Sequence, residues 1–213
     1  MIKVGLTGNF HSGQNQVSEI LEKLDVPVFD ADLILKYLIN YSKPHNQKIY
    51  QEFGEYTYRM GLLNTSKFTS NKEWNKLIDL LEFDIIKSYE RFRLNHKEKT
   101  YTVFKYSYLF ERKMNKTMDY TINCHRPKYL RKSDIQLLTY MDSYGVTQLL
   151  ENEMDETFKN EQSDFTIENY MSIKNEQAMP FLETKVNQIH NVLMKKNPQK
   201  NISGIDYDLN LLD

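Results

Sequence analysis

The chain of 213 residues has a single cysteine, Cys124, so it forms no internal disulfide, and a reducing compartment is expected. Its longest apolar runs fall far short of the roughly 20 residues that a membrane-spanning helix needs. Only seven glycines and five prolines are present, which leaves no Gly/Pro-rich linker and no low-complexity tract. No charge sign dominates: 28 Lys and Arg stand against 29 Asp and Glu, a net charge of −1. A global basic field for nucleic acid or an anionic membrane is therefore excluded. Alanine occurs twice (Ala31, Ala178), and no arginine follows Arg131. That scarcity, beside abundant Asn, Lys, Ile, Tyr and Phe, matches AT-rich coding, as in low-GC bacteria and their phages. A strand-like segment at Ile2 leaves no room for a signal peptide, so the cytoplasm is expected (host cytoplasm or virion for a phage product).

What is present supports a packed core: 40% of the residues are hydrophobic, with 15 Tyr and 11 Phe. Five short apolar runs read as strands: Ile2–Thr7, Pro27–Asp30, Tyr101–Tyr106, Asp119–Cys124 and Asp164–Glu168. Between them lie helical patterns at Gly13–Leu24, about Ala31–Ile39, about Lys72–His96 and about Lys174–Lys196. Alternating strands and helices predict βαβ units, hence an α/β fold with a parallel five-stranded sheet flanked by helices. Residues 40–100 show no clear strand and read as a helical insertion between the second and third strands. The expected organisation is one domain over 1–196, with a lid-like region at about 128–162 and a tail over 197–213.

The sharpest signal follows the first strand: Gly8-Asn9-Phe10-His11-Ser12-Gly13-Gln14-Asn15. Its frame is that of the phosphate-binding loop, G-x-x-x-x-G-K-[ST], placed between a strand and a helix N-terminus. There the backbone N–H groups and the helix dipole favour a phosphate. The lysine position, however, holds Gln14, and the position whose hydroxyl ligates Mg²⁺ holds Asn15. At an effective dielectric near 20, a unit charge pair at 4 Å is worth about 4 kcal/mol. Losing it in a transition state costs about a thousandfold in rate. If the loop works, a cation comes from elsewhere, with Lys3, Lys105, Arg126 or a partner subunit as candidates. Asp30 and Asp32 form an Asp-x-Asp at a strand end, suited to a base or a Mg²⁺ ligand, and equally suited to capping the helix near Ala31.

With this loop and Val26-Pro27-Val28-Phe29-Asp30-Ala31-Asp32 after it, the sequence resembles the dephospho-CoA kinases, P-loop kinases that use Mg-ATP. Phe53-Gly54, Gly61-Leu62-Leu63-Asn64, Tyr108-Leu109-Phe110-Glu111 and Asp164-Phe165-Thr166-Ile167-Glu168-Asn169 extend the resemblance over roughly residues 2–195. It implies a P-loop kinase-like fold, with Asp32 as general base and Asp30 beside it near the metal. Departures fall on polar positions. Glu82-Phe83 replaces a His-Pro, and Met60, Thr65 and Ser107 replace an Asp, an Arg and a Pro. Family lids place arginines on the ATP phosphates, yet none follows Arg131 here, and residues 142–169 carry eight acidic residues against Lys159, a charge that would repel ATP. Arg126 and Arg131 read as solvated surface charges, with remnants of phosphate ligands as the alternative.

These losses lead to the expectation of a non-catalytic binding or assembly component, possible in a phage particle, with no cofactor and with protein partners or self-association. The alternative is a weak or altered kinase that uses ATP and Mg²⁺ to phosphorylate dephospho-CoA or a nucleoside. Direct nucleic-acid recognition is not expected, because the aromatic residues Tyr101, Phe104, Tyr106, Tyr108 and Phe110 have few lysines beside them. The five histidines show no metal-ligand spacing, and Cys124 has no orienting group to make it a nucleophile.

Overall fold

Strand β1 (Ile2–Gly8) is covered along almost its whole length, the mark of a central parallel strand with helices on both faces. The computed structural model describes residues 1–68, 70–138, 146, 147, 150, 151, 153–171 and 176–196. The tail over 197–213 and most of the stretch 139–152 lie outside the described residues. The chain divides into two units, one of residues 1–28 and 97–213, the other of residues 29–96.

The first unit carries the sheet. Besides β1 it contains β5 (Tyr101–Lys105), β6 (Tyr120–His125) and β7 (Phe165–Glu168), and β2 (Val28–Asp30) starts in it. The strand order is β2-β5-β1-β6-β7, with β1 parallel to both its neighbours and β6 parallel to β7. The five-stranded parallel sheet expected from the sequence is thus present. Because β1 lies between β5 and β6, the chain leaves it toward opposite sides, which opens a crevice at the strands' carboxyl ends. Helix α1 (Gln14–Lys23) buries Val17, Ile20 and Leu21 against Val4, Leu6, Tyr101, Val103 and Ile122. Each such side chain, fully buried, contributes about 1.5–3 kcal/mol. Helix α7 (Ala178–Leu193) adds Leu182, Val186 and Leu193 to the same cluster. Two further helices, α5 (Lys128–Leu138) and α6 (Glu156–Gln162), follow β6.

The second unit contains α2 (Ala31–Asn40), α3 (Lys43–Phe53) and α4 (Asn71–Leu94). Helix α4 begins at a capping box, Ser70 with Glu73, in which each side chain serves the other's backbone N–H. This unit also holds strands where none was expected: β3 (Tyr58–Arg59) pairs antiparallel with β4 (Leu62–Leu63). The turn between them places Met60 at φ 52° and Gly61 at φ 82°, the positive values that a tight two-residue hairpin requires. The hairpin is pinned by the Tyr58 hydroxyl, which donates to the Ile39 carbonyl at 2.9 Å, and by the Leu63 N–H, which donates to Asn40 Oδ1 at 2.9 Å.

Candidate phosphate-binding site

The expected loop residues, Gly8 to Asn15, all lie together between β1 and the first turn of α1. Gly13 precedes the helix at φ +107°, a conformation that strains an L side chain, and a Cβ there would lie 2.6 Å from Asn169 Nδ2. That amide donates to the Ser12 carbonyl at 3.0 Å, so a residue after β7 fixes the loop's turn. Gly8 is equally constrained: a Cβ would stand 2.1 Å from Ser12 Oγ. His11 adopts φ 60°, packs edge-on against Phe10, and its imidazole pKa is lowered, chiefly by burial. Buried oxygens with no hydrogen-bond partner among the described residues gather in this loop: Asn9 Oδ1, Ser12 Oγ and Gln14 Oε1. Such clustering marks a place built for further polar partners.

Two buried lysines lie near the loop, Lys105 and Lys159. Lys105 ends β5 in register with Leu6, and the strand's period of two puts it on the face of Tyr101 and Val103, the face that α1 covers. Its ammonium therefore reaches the helix's first turn and donates to Asn15 Oδ1 at 2.7 Å. Lys159 of α6 pairs with Glu111 at 2.8 Å. Gln14 turns away from charge and donates to Ser107 Oγ at 2.7 Å. Of the cations considered from the sequence, only Lys105 contacts the loop's metal position. Lys3 lies at the opposite end of β1, where its N–H donates to Asp119 at 2.7 Å.

Arg126 and Arg131 are not surface charges. They are 2% and 0% exposed, because each finds carboxylates and carbonyls enough to replace water. Arg126 pairs with Asp134 through Nε at 2.7 Å and donates to the carbonyls of Asn169 and Met171. Arg131 donates to the Phe10 carbonyl at 2.9 Å and pairs with Glu153 at 2.7 Å and with Glu156. The Phe10 N–H donates to the same Glu153 carboxylate at 2.7 Å. Part of the negative charge of residues 142–169 thus answers Arg131 and the loop backbone. Burial nevertheless pushes the Glu153 carboxyl up from its ordinary value, against the pull of Arg131. Cys124, in register with Gly8, is buried and its thiol is pushed far up, which leaves it inert.

Asp30 and Asp32 lie on the second unit. Asp30 caps α2, its Oδ1 accepting from the Leu33 N–H at 2.9 Å, so the capping role expected of it is filled. Asp32 lines a cavity of about 220 Å³ with Leu35, Ile39, Leu63, Thr65 and Trp74.

The family model described as Dephospho-CoA kinase matches residues 2–175. The chain belongs to the dephospho-CoA kinase family. It is 30% identical over 126 residues to the dephospho-CoA kinase of Bacillus thuringiensis, a stretch covering 55% of this chain and 63% of that one. It is 25% identical over 182 residues to the dephospho-CoA kinase of Clostridium tetani, covering 81% and 80% of the two chains. Among solved structures, a Thermus thermophilus protein superposes with a TM-score of 0.73 at 17% identity, over 90% of this chain and 96% of that one. The dephospho-CoA kinase of Campylobacter jejuni superposes with a TM-score of 0.62 at 17% identity, over 91% and 97%. Both likenesses establish the P-loop kinase fold. Against this family background, the loop departs from its motif at Gln14 and Asn15, and Lys105 stands at the departure. The sequence named Lys105 only among several cations and Arg131 only as a possible remnant of a phosphate ligand; Glu153 and Ser107 carried no signal of their contacts with the loop.

Proposed function

We propose that this family member is an altered phosphotransferase, which moves the γ-phosphoryl group of ATP to a hydroxyl of dephospho-CoA or a related nucleoside. The observation that carries the reading is the buried Lys105 ammonium at the head of α1, a positive charge restored beside a loop that lost its own lysine. Phosphoryl transfer depends mainly on positioning and charge neutralisation. The loop's backbone N–H groups and the α1 dipole would hold the phosphates, with Lys105 countering the charge that develops. In the transfer, the bond from the γ-phosphorus to the β-bridging oxygen breaks and a bond to the acceptor oxygen forms. The acceptor's proton passes to the Asp32 carboxylate, as the family resemblance implies. The cavity beside Asp32, with the Trp74 ring in its wall, suits a flat heterocycle such as a nucleoside base.

A non-catalytic assembly role has one observation in its favour: Glu153 already occupies a loop N–H and Arg131. The family membership and the Lys105 contact support the kinase reading over it. Melting the protein with and without millimolar ATP separates the two. Ligand at about 100 times its Kd stabilises by about 2.7 kcal/mol, a rise of about 5–10 °C for a chain of this size. The kinase reading expects that rise; an unchanged melting temperature contradicts it.

A further inference from the structure

We infer that the Glu153 carboxylate is a built-in competitor for phosphate at this loop: it occupies a loop donor in the free protein and yields it when a nucleoside triphosphate binds. The inference rests on the nucleotide-binding reading above and adds to it a regulation of the same site.

A phosphate-binding loop works through backbone N–H groups turned toward an anion. Within Gly8–Asn15, the Phe10 N–H already donates to an anion, Glu153 Oε1, at 2.7 Å. The same carboxylate receives Arg131, whose Nη1 donates to Oε2 at 2.7 Å and to Oε1 at 3.0 Å. A backbone N–H and a guanidinium converging on one pair of oxygens form a donor set that serves phosphate as well as carboxylate. The next residue fastens the segment to the loop a second time, since Asn9 Nδ2 donates to the Met154 carbonyl at 3.0 Å. A phosphate beside a resident Glu153 would set like charges within a few ångströms, where a partly buried site screens them poorly. Two observations favour exchange over coexistence. Arg131 faces two carboxylates, so it keeps Glu156 and the Phe10 carbonyl when Glu153 departs, and no buried charge is left bare. At Glu153 itself burial outweighs Arg131 and holds the carboxyl above its ordinary value, so the carboxylate regains hydration by leaving.

Calorimetric titration of the full chain with ATP and Mg²⁺, well below the melting temperature, tests this on the wild type, Glu153→Ala and Glu153→Gln. Glu153→Ala should bind ATP on the order of tenfold or more tighter than wild type, the scale of one charge-assisted hydrogen bond no longer contested. Glu153→Gln keeps the size of the side chain and one acceptor oxygen but removes the charge. It should tighten binding by a smaller factor, and it keeps the test open should the alanine variant fold poorly. Without ligand, both variants should melt below wild type, because the pairing with Arg131 is lost. Lower stability with tighter binding is the signature of a competitor; a merely structural clamp would lower both together. Inorganic tripolyphosphate should show the same gain and adenosine none, since the exchange concerns phosphate alone. ATP affinity unchanged or weakened in the variants would overturn the inference and leave the kinase reading standing. Absence of ATP binding by all three proteins would overturn both.

Discussion

Lys105, Gln14 and Asn15 show a positive charge relocated within one site. The motif's lysine is missing from the loop, and an ammonium enters from the neighbouring strand instead. The placement follows from strand alternation, since Lys105 shares a face with Tyr101 and Val103, and from the register that sets it level with Leu6. In the loop itself, His11 carries a prediction at the same scale. Burial first, and then Arg131 and Arg126, hold its imidazole below the ordinary value of 6.5, against the opposing pull of Asp134. Between the folded pKa and 6.5 the unfolded chain binds more protons than the native one, so stability rises with pH in that window and is lost as pH falls through it. His11→Asn, which tolerates the left-handed backbone, should flatten the decline of melting temperature from about pH 6.5 to about pH 5 relative to wild type. Parallel slopes in the two proteins would exclude the role given to His11.

Among the elements, α5 and the segment carrying α6 are joined to the loop by charge. Arg131 of α5 is met by Glu153 and Glu156, while Glu153 also accepts from the Phe10 N–H. Removing one partner of such a buried cluster leaves the others uncompensated, a loss of about 3–5 kcal/mol. Arg131→Met should therefore lower the urea-unfolding free energy by at least about 3 kcal/mol. A change below about 1 kcal/mol would show that the cluster is no stronger than a surface ion pair. This arrangement was not legible in the sequence. The acidic run after residue 142 read as a repulsive face because the arginines that answer it come from a different element. Buried pairing is a three-dimensional fact, and neither Arg126 nor Arg131 sits in an apolar pattern that would betray it. The sheet was legible, because covered parallel strands are apolar and continuous, as in Ile2–Gly8 and Tyr120–His125. The β3–β4 hairpin was not, since strands of two residues carry no periodicity and only Met60-Gly61 marks the turn.

For the whole molecule, the family and the fold were readable from the loop and the order of elements, and the match over residues 2–175 establishes the family. Activity was less readable. The lost lysine argued against catalysis, and which of the candidate cations answers it becomes visible only when β5 is laid beside β1. Asp30 offered one carboxylate to two roles in sequence, and the structure fills one of them, the cap on α2. Phosphate transfer by this chain is tested by incubating it with dephospho-CoA and ATP labelled at the γ-position. Label should appear in the acceptor with the wild type and should fall on the order of a hundredfold or more with Asp32→Asn, the scale of general-base catalysis. Transfer unchanged in Asp32→Asn would refute the proposed base, and no transfer by the wild type, under conditions where a dephospho-CoA kinase of ordinary loop sequence is active, would contradict the account.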